Sequence, residues 1–66
     1  MKIKINGEVQ ELDAVKNLKD LVEIKGLEIS KIVIEHNCNI VPRETIADVS
    51  LNEDDTVEIV SFVGGG

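Results

Sequence analysis

Only one stretch of this chain both spaces its apolar residues as a helix does and signals its two ends. Asn17 suits an N-cap, Leu18, Leu21 and Val22 follow on one face, and Asp20 sits in the first turn, where the helix dipole favours an anion. Gly26 suits the left-handed position that stops the helix. Two turns do not persist alone in water, so the apolar stripe must lie on a sheet.

Strand patterns surround that stretch. Ile3 and Ile5 alternate with Lys2 and Lys4, and Asn6-Gly7 then supplies the strongest short hairpin signal. A second strand runs from Glu8 to about Leu12, and because Val9 and Leu12 have opposite parity it must end or bulge before Leu12. Within Lys31 to Glu35, the β-branched run Ile32-Val33-Ile34 suggests a strand covered on more than one side. Asn37, Cys38 and Asn39 form a turn, and Ile40-Val41 is a short strand that Pro42 marks as an edge or a strand end. Arg43 to Ser50 reads weakly, with one helical turn around Thr45 to Ala47, and Asn52 to Asp55 is a turn. Thr56 to Val63 is the longest alternating segment, with Val57 and Ile59 on one face and Val60 and Phe62 on the other.

Hairpin, helix, strand, short strand and final strand define an α+β roll: a mixed sheet of four to five strands with one main helix packed on one face. No repeat or linker divides it, so 1–63 is expected to be one domain and 64–66 a flexible glycine tail. At 66 residues such a domain buries only about 60% of the surface its unfolded chain exposes, too little for both a core and a deep pocket. Hydrophobic residues make up 42% of the chain and Phe62 is the one aromatic, so the core must be aliphatic.

The net charge of −6 makes nucleic acid and anionic membranes poor partners and would steer the chain toward a basic patch on another protein. Cys38 is the single cysteine, which excludes an intramolecular disulfide. The N-terminus lacks the apolar run of a signal peptide and no stretch approaches membrane-spanning length, so the expected address is cytoplasmic and the free chain a monomer.

Candidate chemistry is thin. His36 and Cys38 lie two apart, but two ligands do not make a zinc site, and a Cys–His nucleophile needs an orienting group and an oxyanion site as well. They read as a surface imidazole and a turn residue. Glu53-Asp54-Asp55 reads as a solvated turn serving solubility, and Gly7 and Gly26 are too far apart to cradle phosphate. The chain is therefore not expected to be an enzyme, nor to bind a cofactor or metal itself.

The ending remains. Gly64, Gly65 and Gly66 follow Val63, and at an average glycine content near 7% three in a row arise by chance roughly three or four times in ten thousand. A frayed end or a cloning remnant is one reading. The other is steric: residues without Cβ form a thin thread, about 10 Å long when extended, that carries a carboxylate into a narrow active site on another protein. A carboxylate is a poor electrophile until activated, for example as an acyl-adenylate, and Gly66 then leaves its carbonyl unhindered on both faces.

The layout resembles the β-grasp (ubiquitin-like) sulfur-carrier proteins, and most closely the ThiS family of thiazole (thiamine) biosynthesis. The resemblance spans essentially the whole chain and rests on Asn6-Gly7, on Asn37 followed by Ile40-Val41-Pro42-Arg43-Glu44, on Leu51 before the acidic turn, and on Phe62-Val63-Gly64-Gly65-Gly66. It implies that a ThiF-like adenylyltransferase uses ATP to adenylate the carboxylate of Gly66, and that a sulfur-transfer protein then helps convert it to a thiocarboxylate that delivers sulfur to a ThiG-like thiazole synthase. Gly64, Gly65, Phe62 and Val63 would contact those partners. Two positions depart from the pattern: Asp54 stands where Gly is usual before Asp, and Ile46 where an aromatic is common. A MoaD-like carrier for molybdopterin synthesis and a ubiquitin-like protein modifier or interaction module are the alternatives within the fold.

Overall fold

The amphipathic stretch forms α1, Leu18–Ile24, and buries Leu18, Leu21 and Val22. Both ends close as the sequence specifies. The Asn17 carboxamide oxygen accepts the Asp20 N–H at 2.8 Å, and the Asp20 carboxylate accepts the Lys16 N–H at 3.0 Å. At the other end Gly26 takes φ +67°, so that its N–H reaches the Glu23 carbonyl and the Leu27 N–H the Val22 carbonyl, both at 3.0 Å. A Cβ at Gly26 would meet nothing within 4 Å, so only backbone strain opposes one. Gly26→Ala is accordingly expected to lower stability by about 1 kcal/mol in urea denaturation, with the fold intact.

The computed structural model describes residues 1–62. Strands β1 (Lys2–Ile5), β2 (Glu8–Glu11), β3 (Ile32–His36), β4 (Asn39–Val41) and β5 (Thr56–Ser61) form one mixed sheet in the order β2-β1-β5-β3-β4. Only the β1–β5 pair is parallel; β5, last in sequence, is central in space. α1 covers one face, where Ile3, Ile5, Ile34 and Val57 meet Leu18 and Leu21 in an all-aliphatic core. Short 3-10 segments at Ile29–Lys31 and Arg43–Asp48 complete it.

Several sequence readings are refined. The second strand ends at Glu11 rather than bulging, and the Leu12 N–H turns to the Met1 carbonyl at 2.8 Å. The weakly read Arg43 to Ser50 region holds a six-residue 3-10 helix that buries Ile46, started by Pro42, whose carbonyl accepts both the N–H and the hydroxyl of Thr45. The reading of Ile32-Val33-Ile34 as covered on more than one side is wrong. Val33 is 42% exposed, because the sheet has one covered face and its apolar neighbours on the other lie open to solvent. Asp54, noted above as a departure from the pattern of the resemblance, sits at φ +69°, a conformation Asp tolerates better than most residues.

Candidate functional site

β5 is the element that leads to the glycines, and both hairpin turns reach over to fasten it. The β1–β2 turn places Asn6 at φ +51°, and its carboxamide oxygen accepts the Ile59 N–H at 2.7 Å while its NH2 donates to the Ile59 carbonyl at 3.2 Å. The β3–β4 turn places Asn37 at φ +49°, and its carboxamide oxygen accepts the Thr56 N–H at 2.9 Å. Asn is suited to both tasks because it tolerates positive φ and offers donor and acceptor on one short arm.

Alternation along β5 turns Val57 and Ile59 to the core and Val60 and Phe62 outward, as the sequence pattern indicates. Register then places Val33 opposite Val60, Glu35 opposite Glu58, and Ile40 opposite Glu35. The uncovered face thus carries an apolar strip of Ile40, Val33, Val60 and Phe62 beside two directly opposed carboxylates. Like charges in that position destabilise an isolated sheet, and a cation from outside would relieve them. Phe62 is 47% exposed, and its N–H donates to the Lys31 carbonyl at 3.0 Å. Its ring borders an open groove with Ile29, Ile32, Ile40 and Arg43.

Of the residues singled out in the sequence for function, Phe62 stands here, at the end of β5. Val63, Gly64, Gly65 and Gly66 lie outside the described residues. Val33, Ile40, Val60, Glu35 and Glu58 were not singled out. For Val33 a signal was present as an apolar residue between the buried Ile32 and Ile34, but the face it shares with the others is identified only once strand pairing is known.

At the opposite end of β5 lies a second polar cluster that corrects two readings. His36 is not a surface imidazole: its side chain is 17% exposed and its Nε2 lies 2.7 Å from the Asp55 carboxylate. Asp55 is not a solvated carboxylate either. It is buried, and it also accepts the Asn52 N–H at 2.9 Å and the Asn37 NH2 at 3.2 Å. It pins the acidic turn to the β3–β4 turn, leaving Cys38 exposed beside it at φ +72°. Among the described residues, no three His, Cys, Asp or Glu side chains converge to hold a metal ion, and no helix is long and apolar enough to cross a membrane.

Burial alone would push the Asp55 carboxyl up, but hydrogen bonds from His36, Asn52 and Asn37 outweigh it and hold the group below its ordinary 3.8. A carboxyl depressed in the folded state contributes its full stability above that ordinary value and loses it as the pH falls. The urea midpoint should therefore drop as the pH falls below the ordinary carboxyl value of 3.8, and Asp55→Asn should flatten that drop.

A five-stranded mixed sheet with its last strand central, clasping one helix on one face, defines a β-grasp domain. Residues 3–66 match the model of the ThiS family, and the chain belongs to it. It is 34% identical over 65 residues to the sulfur carrier protein ThiS of Bacillus subtilis, covering 97% of this chain and 98% of that one. It is also 39% identical to a thiazole synthase of Paramagnetospirillum magneticum and 41% identical to one of Magnetococcus marinus. Each match takes in all of this chain, which spans only 20% of those two proteins. The crystal structure of the thiamine biosynthesis protein ThiS from Geobacter metallireducens superposes with a TM-score of 0.83 at 26% identity, covering both chains completely.

Proposed function

We propose that this chain is a sulfur carrier of thiamine biosynthesis, a protein co-substrate whose reactive group is the carboxylate of Gly66. A ThiF-like enzyme supplies ATP; the carboxylate oxygen attacks the α-phosphorus, pyrophosphate leaves, and the acyl-adenylate forms. The outer sulfur of a persulfide on a sulfur-transfer protein then attacks the acyl carbon and AMP departs; a thiol attacks the donor's own sulfur in the acyl disulfide so formed, leaving the donor as a disulfide and freeing the Gly66 thiocarboxylate. A ThiG-like thiazole synthase accepts that sulfur. This chain contributes the thread and the docking surface: Gly64 and Gly65 bring no Cβ into the partner's channel, Phe62 and Val63 contact its mouth, and the open sheet face meets apolar side chains flanked by a cation.

Family membership across residues 3–66 carries this reading, because it takes in both the β-grasp body and the three glycines. Likeness to a stand-alone carrier and to part of two thiazole synthases supports the thiazole branch. The test is genetic. In a bacterium lacking its own thiazole sulfur carrier, the chain is expected to restore growth without thiamine. Failure there, with rescue instead of a strain lacking its molybdopterin sulfur carrier, would transfer the chain to the other pathway.

A further inference from the structure

We infer that Asn6 is a positioning residue for the sulfur-acquiring tail, its side chain standing in for a stretch of β-strand that the chain does not have. In the parallel β1–β5 ladder the Lys4 N–H donates to the Asp55 carbonyl and the Asn6 N–H to the Val57 carbonyl, each at 2.9 Å. Continued by the same step, the ladder would next use the carbonyl of residue 6 to accept the Ile59 N–H and the N–H of residue 8 to donate to the Ile59 carbonyl. Neither is in place, because the chain turns away at Asn6-Gly7 to begin β2. The Asn6 carboxamide supplies both, accepting at 2.7 Å and donating at 3.2 Å.

Ile59 is thus the last residue of β5 supported from both sides. Beyond it the described chain is held on the β3 side alone, through the Val33–Val60 and Ile32–Ser61 pairs and the Phe62 N–H to the Lys31 carbonyl. Asn6 extends two-sided support two residues past Val57 and so fixes the direction in which the chain leaves the sheet at Phe62. Without it, part of the ordering of distal β5 has to be completed on docking. Such a cost falls equally on the bound complex and on the transition state, so it raises KM and leaves kcat alone.

This inference rests on the activation reading above, and its test keeps the two apart. Asn6→Gly removes the carboxamide and retains a residue at ease with positive φ. With the cognate adenylating enzyme and ATP at 25 °C, the KM for Asn6→Gly is expected to rise about tenfold, the equivalent of re-ordering roughly one backbone residue, with kcat unchanged. Amide exchange at Ile59, Val60 and Ser61 is expected to accelerate while Ile3 and Ile34 stay protected. Gly26→Ala, destabilised at the far end of α1, serves as the control and is expected to keep the wild-type KM. An unchanged KM for Asn6→Gly, or an equal rise in Gly26→Ala, would overturn the inference. A wild-type chain that the active enzyme does not adenylate would overturn the activation reading and the inference with it.

Discussion

Asp55→Ala is expected to lower the free energy of unfolding by about 3 kcal/mol, a large effect for one turn residue in so small a domain. The carboxylate accepts from His36 at 2.7 Å, from the Asn52 N–H at 2.9 Å and from Asn37 at 3.2 Å, and truncation leaves all three without that acceptor. The position is 9% exposed, so water reaches the orphaned donors poorly. Asp55→Asn keeps one acceptor oxygen for the Asn52 N–H and should cost less. Urea denaturation at neutral pH checks both. The double-mutant cycle with His36→Ala should give a coupling of about 1 kcal/mol or more, and near-additivity would show that the imidazole and the carboxylate act independently.

Removing Gly66 is expected to have the opposite profile, with no measurable loss of stability but more than about a hundredfold loss of sulfur acquisition. Under the proposed function, deletion would shorten an extended tail by about 3.5 Å and hold the carboxylate back from the activating phosphate by that distance. Gly65→Val tests the steric half of the same idea, since it keeps the length and adds a branched side chain where the partner's channel must admit a bare backbone. Both variants should melt with the wild type. A tail that tolerated either change would serve some purpose other than carrying a carboxylate into a confined site.

Much of the fold was legible in the sequence because local chemistry and global packing agree. Asn17, Asp20 and Gly26 mark the ends of α1 and act there as those residue types act in any helix, and Asn6-Gly7 is a hairpin for the same reason. Alternation along the segment read from Thr56 to Val63 separated Val57 and Ile59 from Val60 and Phe62 correctly. Sequence reading faltered where the deciding partner lies far along the chain. Asp55 looks like one acid among several in Glu53-Asp54-Asp55, and only the arrival of His36, nineteen positions earlier, makes it a structural carboxylate. Val33 looks like the middle of a buried run, and only the absence of a second layer over β3 exposes it. The side chains of Asn6 and Asn37 announce turns, but their reach to β5 spans 53 and 19 residues and has no local signature.

The site divides along the same line. The glycine ending and Phe62 stand out in the sequence as candidates because they are contiguous, whereas the open face of Ile40, Val33, Val60, Glu35 and Glu58 is assembled from three strands and exists only in the folded sheet. The β-grasp order puts the last strand in the middle, so the segment that leads to the glycines borders both the core and that face.

Intact-protein mass spectrometry tests the central claim most directly. After incubation with ATP, a ThiF-like enzyme of proven activity and a sulfur donor, the chain should gain the mass that replaces one oxygen by sulfur, fragmentation should place the change at Gly66, and the chain lacking Gly66 should remain unmodified. An unchanged mass for the full chain, or sulfur found on Cys38 instead, would contradict it.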